Sequence, residues 1–221
     1  PEGTTRLIRF VRSVVDATGE QVAIDFHGHR DRDLSIANAL AAYMAGADRV
    51  HGTILGIGER VGNAPLDILL INLKLLGWLD LDLTSLPEYC ALVSRACRVP
   101  IQANYPAFGR DAFRTATGVH AAAVIKAQKK GDSWLADRVY SSVPAGMLGL
   151  TQTSEGGPMS GESNVIYWLS THSYEPVRPL VEHIFQLAKQ RETVFEDTEL
   201  EAVVAGFRDT HPAAAPLGQD P

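Results

Sequence analysis

Cysteine is scarce in this chain: two residues in 221, Cys90 and Cys97. That number excludes a disulfide framework, and neither residue has the short spacing of a metal or redox pair. Both are read as small apolar residues, seven positions apart on one helix face. Basic charge is also in short supply. Twenty Lys and Arg against 26 Asp and Glu leave a formal charge of −6. No basic stripe exists to neutralise nucleic-acid phosphates or an anionic membrane, so neither partner is expected. The one basic cluster, residues 126–130, falls at a predicted helix end, where cations complement the helix dipole. Long hydrophobic runs are missing too. No stretch reaches the roughly twenty apolar residues that cross a bilayer, and no secretory signal pattern is present. A reducing, cytoplasmic setting is the expectation. What remains is ordinary for a globular protein, 45% hydrophobic and 21% charged, enough to bury one core or somewhat more.

Against that plain background one stretch stands out: Asp25-Phe26-His27-Gly28-His29-Arg30-Asp31. Residues 21–26 read as a short apolar strand running into the histidines. Side chains at i and i+2 of a strand share a face, so His27 and His29 present two imidazoles side by side. Divalent metals favour such a pair on a rigid element, whereas a solitary histidine is more often a core or surface residue. The charged run Arg30-Asp31-Arg32-Asp33 marks the end of the strand as a solvent-facing mouth. His51 has no imidazole partner by the same spacing and is read as a bland surface residue.

The first 77 residues alternate regularly. Residues 4–17 carry Leu7, Ile8, Val11, Val14 and Val15 as a helical stripe closed by Gly19. A second helix over 34–45 presents Leu34, Ala37, Leu40, Ala41 and Met44, with Gly46 past its end. A second strand over 48–54 leads into Gly56-Ile57-Gly58-Glu59-Arg60-Val61-Gly62-Asn63. Pro65 then opens a third helix at its preferred first position, continuing to Gly77. Helix, strand, helix, strand, helix with short connections means parallel strands. Two parallel strands make no finished sheet, so the expectation is an architecture entered midway.

Beyond Gly77 the spacing predicts helices without intervening strands. Ser85-Leu86-Pro87-Glu88 reads as a capping box opening a helix to about Ala96. Residues 99–109 form a connector, 111–130 a helix with Gly118 inside it, and 141–161 a loop. Shorter helices follow over 162–169, 177–190 and 198–207. The expected divisions are a barrel part (1–77), a linker with helical subdomain (78–110), a helical subdomain (111–205) and a disordered tail (206–221).

These motifs carry a resemblance. His27-Gly28-His29 with Asn38, and His51-Gly52-Thr53 leading to Gly58-Glu59-Arg60 and Asn63, look like the last two strands of the metal-dependent aldolase-type barrels. These are the 2-isopropylmalate, homocitrate and citramalate synthases and the 3-hydroxy-3-methylglutaryl-CoA lyases. Residues 100–113, with Thr117-Gly118-Val119-His120, are similar to the linker and helical subdomain of the synthases. The resemblance implies an α/β fold: the last two βα units of a (β/α)₈ barrel, then a mostly helical subdomain.

By the resemblance His27 and His29 are two of three protein ligands to a divalent cation (Mg²⁺, Mn²⁺ or Zn²⁺), with Asn63 at or beside the metal. The third ligand, an aspartate in an Arg-Asp-Gly segment, has no counterpart here. Gly58, Glu59, Arg60 and Asn63 match substrate-binding positions, and Glu59, His120 and Tyr140 match catalytic ones. The implied substrates are acetyl-CoA and a 2-oxo acid. The implied partners are an N-terminal barrel portion, as a second chain or a missing segment, and a further copy of the chain. The glycine loop has no cysteine where the lyases place one, which favours condensation over cleavage. Arg30 stands where the common pattern has asparagine.

Overall fold

The α-helices of the N-terminal region form close to their expected limits, but with narrower buried faces. The computed structural model describes residues 1–211. Helix α1, Glu2–Thr18, ends at Gly19 in the left-handed region (φ 76°), where glycine pays no steric cost. Only Ile8, Val11 and Val15 turn inward, against Ile24, Ala42, Ala47, Phe26 and Val50. Leu7, Phe10 and Val14 are 57%, 65% and 50% exposed, so the expected five-residue stripe is corrected. Helix α2, Ser35–Met44, buries Ser35, Ala39 and Ala42 instead of the predicted Leu34 and Met44 face. Small residues on that side allow its backbone to approach its neighbours closely, and the larger side chains face outward.

Strands β1, Asp25–Phe26, and β2, Arg49–Val50, pair in parallel, Asp25 opposite Arg49 and Phe26 opposite Val50. Parallel pairing is as expected, but each strand is two residues long where about seven were predicted. With a single neighbour each, only these rungs are ladder-bonded. The flanks are held by isolated bonds, such as His51 N–H to the Phe26 carbonyl at 2.9 Å. After β2 the chain makes a 3₁₀ turn, Ile54–Gly56, and loops back before helix α3, Leu66–Leu75. Pro65 is the residue before that helix, with extended ψ of 110°, not its first turn.

Helix α4, Leu86–Cys97, buries Leu86 and Cys90. Its predicted capping box does not form: Ser85 is itself near-helical (φ −85°, ψ −8°), and its hydroxyl makes no cap bond. The shared cysteine face is also corrected. Cys90 is buried, its thiol pushed up to about 12 by burial and by Asp67, whereas Cys97 lies exposed at the helix end. These elements belong to a first compact unit, Pro1–Ala112 with Met147–Gly149.

The second unit, Phe113–Gly146 and Leu150 onward, departs most from expectation. It contains strands, β3 at Arg114–Thr115 and β4 at Thr153–Ser154, paired in parallel. The predicted helix over 111–130 therefore starts only at Gly118, as α5, Gly118–Lys129. A short α6, Ser133–Ala136, follows, then α7 (Glu162–Thr171), α8 (Arg178–Lys189) and α9 (Asp197–Thr210). Their core holds Val165, Leu169, Leu180, Ile184, Leu200 and Phe207. Fully buried Asn164 ties the strands to α7: its Oδ1 accepts Gly161 N–H, and its Nδ2 donates to the Thr115 carbonyl and Ser154 Oγ. Helix α9 continues to Thr210, past the position 206 at which the tail was expected to start; the rest of that expected tail, residues 212–221, lies outside the described residues.

Candidate functional site

The chain leaves β1 at Phe26, and both histidines lie beyond the strand. Their side-by-side placement nonetheless holds. The rings of His27 and His29 stand 5.2 Å apart, centre to centre, at 86°. His29 forms an isolated antiparallel bridge with Asn63, which joins the end of β1 to the far end of the glycine loop. The neighbouring Arg30 N–H donates to the Gly62 carbonyl at 3.1 Å. At this junction His29 Nδ1 and Asn63 Oδ1 are both buried, and neither has a hydrogen-bond partner among the described residues. His51 is exposed, as expected of a surface residue, but it does have an imidazole neighbour: its ring lies 5.8 Å from that of His27. Its Nε2 faces Asp25 Oδ2 at 3.3 Å.

The glycine loop is closed at its base by Asn63 N–H donating to the Gly56 carbonyl at 3.0 Å. A Cβ on Gly62 (φ 89°) would stand 1.9 Å from that same carbonyl oxygen, so only glycine fits. A Cβ on Gly58 would stand 2.4 Å from Asn63 Nδ2, so the bare Gly58 backbone leaves the Asn63 amide its position. At the exposed apex Arg60 (φ 58°) binds Asp31 through two bonds, 2.6 and 2.9 Å. That contact holds the Asp31 carboxyl below its ordinary value. Glu59 is exposed beside it.

One residue of this site had not been anticipated. Asp67, in the first turn of α3, is fully buried. It accepts Leu55 N–H at 2.6 Å and the Tyr105 hydroxyl at 2.9 Å. Leu55 sits at φ 59°, a conformation costly for a non-glycine residue, and Asp67 fixes it immediately before Gly56. Burial pushes the Asp67 carboxyl above its ordinary value. The available signal was an acid inside the apolar run Leu66-Asp67-Ile68-Leu69-Leu70, too easily taken for a helix-dipole residue.

In the second unit the two remaining candidates come together. His120 and Tyr140 stack with ring centres 3.9 Å apart at 21°. His120 Nδ1 is 2.6 Å from Thr117 Oγ1. A cavity of about 670 Å³ also lies in this unit, lined by Arg114, Gln128, Asp137, Glu155, Tyr167 and Asp197 among others. It holds none of the predicted site residues. Its charged groups largely engage protein: Arg114 pairs with Glu155 at 2.8 Å, Asp137 accepts from Ala145 and Gly146, and Asp197 accepts from Trp168.

Residues 1–93 match the HMGL-like family. Over 177 residues the chain is 33% identical to an (R)-citramalate synthase of Aquifex aeolicus, covering 76% of this chain and 32% of that protein. A probable 2-isopropylmalate synthase of Methanopyrus kandleri is 41% identical over 122 residues, 54% of this chain and 24% of the relative. A homocitrate synthase of the same organism is 30% identical over 209 residues, 92% of this chain and 49% of the relative. The chain thus spans between a quarter and a half of the length of these relatives. By these matches, and by the histidine pair and glycine loop that the fold joins, residues 1–93 are HMGL-like and the chain is similar to a portion of the citramalate, 2-isopropylmalate and homocitrate synthases.

Proposed function

We propose that this chain furnishes the metal and acceptor side of an acyltransferase that condenses acetyl-CoA with a 2-oxo acid to give a 2-hydroxy dicarboxylate. The observation that carries this reading is the pair of buried, unpartnered atoms, His29 Nδ1 and Asn63 Oδ1, at one backbone bridge beside His27. A buried polar atom without a partner costs about 1–3 kcal/mol, which a bound cation would offset. Two imidazoles and an amide oxygen are a donor set suited to Mg²⁺, Mn²⁺ or Zn²⁺. Among the described residues no group of three or more His, Cys, Asp or Glu is placed to hold a metal ion. A carboxylate from the rest of the enzyme therefore completes the site. When bound there, the cation supplies Lewis-acid polarisation of the acceptor carbonyl.

The chain's own residues do the remainder. His27 and His29 bind as neutral imidazoles, and Asn63 lends its amide. Gly58, lacking a side chain, leaves that amide the room it needs in the loop. Arg60, steadied by Asp31, and Glu59 orient the acceptor's polar ends. His120, packed on Tyr140, takes part in proton transfer. This portion forms the last two βα units of a (β/α)₈ barrel with its helical subdomain, in a cytoplasmic homo-oligomer. The exposed Leu7, Phe10 and Val14 on α1 suit cover by further protein. No described helix is long and apolar enough to cross a membrane.

The same exposed residues favour one alternative, a non-catalytic chain that only docks a partner. Calorimetric Mn²⁺ titration separates the readings. The chain alone should bind weakly, and tighten when combined with a barrel portion that ends a strand in Arg-Asp-Gly. The combined protein should then release free thiol from acetyl-CoA in the presence of a 2-oxo acid. Tight stoichiometric binding by the chain alone would sink the three-ligand assignment, and a combined protein without thiol release would leave the docking reading.

A further inference from the structure

Thr117 holds the N-cap position of α5 with extended backbone, φ −89° and ψ 136°. From that position a threonine hydroxyl ordinarily accepts a backbone N–H of the second or third helical residue. Thr117 makes no such bond. Its Oγ1 instead lies 2.6 Å from Nδ1 of His120, the side chain of the third helical residue. The helix start is secured by other means. A Cβ on Gly118 would stand 2.7 Å from Gly161 N, so the bare residue seats the first turn of α5 directly on the start of α7. Ser163 Oγ donates to the Gly118 carbonyl at 3.3 Å, and Asn164 Oδ1 accepts Gly161 N–H at 3.0 Å. The Thr117 hydroxyl is engaged by His120 in place of capping. Tyr140 covers one face of the His120 ring, and Nε2 makes no hydrogen bond among the described residues.

We propose that Thr117 is a positioning residue whose Oγ1 accepts from His120 Nδ1–H, leaving Nε2 as the atom that takes up and returns a proton. A hydroxyl accepts from Nδ1–H of the neutral ring and, more strongly, of the imidazolium. The bond therefore persists through both states and the ring need not turn. The inference rests on the proton-transfer reading of His120 for its purpose, though not for its geometry.

The test is imidazole ¹⁵N NMR of the full chain, as wild type, Thr117→Val and Thr117→Ser. Wild type should carry the neutral-state proton on Nδ1. Thr117→Val should shift the population toward Nε2–H, and Thr117→Ser should restore the wild-type pattern. Because no cap bond is lost, only the bond to His120, Thr117→Val should melt at most a few degrees below the wild type. The same tautomer in wild type and Thr117→Val would overturn the proposal, as would a lowered melting temperature with no tautomer change. In the completed enzyme Thr117→Val should lower kcat by at least about tenfold, inside the roughly 10²–10⁴ expected for loss of a general acid–base group, with KM unchanged. A tautomer shift with unchanged kcat would uphold the positioning role and refute proton transfer by His120.

Discussion

Replacing Asp67 tests whether one buried carboxylate holds the glycine loop. Asp67→Ala strands the buried Leu55 N–H and the half-buried Tyr105 hydroxyl. At about 1–3 kcal/mol for the buried group and less for the half-buried hydroxyl, the loss is about 2–4 kcal/mol, a large share of the roughly 5–15 kcal/mol that a domain has. Tyr105→Phe removes only the bond at 2.9 Å and should cost about half as much. The double variant should lose no more than Asp67→Ala alone, because both changes break one network. Urea unfolding followed by fluorescence of Trp78 gives the stabilities of the first unit. Hydrogen exchange over residues 53–63 shows whether the loop opens first. The pH dependence has a definite sign. Burial raises the Asp67 carboxyl above its ordinary 3.8, so the folded state binds that proton more tightly than the unfolded chain. Its contribution to stability is full below 3.8 and is lost as pH rises through the raised value. Asp67→Asn, which can still accept Leu55 N–H, should abolish that slope and cost less than Asp67→Ala. Additive losses in the double variant, or a loss under about 1 kcal/mol in Asp67→Ala, would refute the clamp.

Other expectations concern the site directly. Gly58→Ala drives a methyl against Asn63 Nδ2 and should weaken Mn²⁺ binding in calorimetry while the melting temperature holds. Gly62→Ala, at φ 89° and facing the Gly56 carbonyl, should instead lower stability by more than about 1 kcal/mol in urea unfolding. In the completed enzyme His27→Ala and His29→Ala should abolish turnover, while His51→Ala, whose Nε2 faces Asp25, retains it. Equal loss in all three would refute the pairing. His120→Ala should lower kcat by about 10²–10⁴ with metal affinity unchanged. If sites form between copies, mixing it with His27→Ala should restore part of the activity.

The helices α1, α2 and α3 were legible because their periodic residues and closing glycines are local signals. Their buried faces were less so: Ser35, Ala39 and Ala42 are inside because they are small, which hydrophobic periodicity ignores. The nearness of His27 to His29 was readable from their spacing, although the strand meant to carry them ends at Phe26. The role of Asp67 was not, because its partners lie 12 and 38 positions away. Strands β3 and β4 escaped for the same reason. Arg114-Thr115 has no strand character except beside Thr153-Ser154, and the helical spacing after Gly118 was extended backward over it. The Ser85 box failed on a backbone angle, which composition does not encode.

The β3–β4 pair bears on how the second unit comes to exist at all. Thr115 and Ser154 meet across 39 positions, with α5 and α6 between them. Closing so long a loop costs chain entropy before any contact rewards it, whereas helices gain their bonds locally. Helical turns in α5 and α7 are then early events, and the strand pair a late one. Asn164 finds Gly161 and Ser154 within its own stretch of chain, but Thr115, 49 positions away, only on that closure. Its amide acts as a latch on the final step of assembly, so Asn164→Leu should speed unfolding more than it slows refolding.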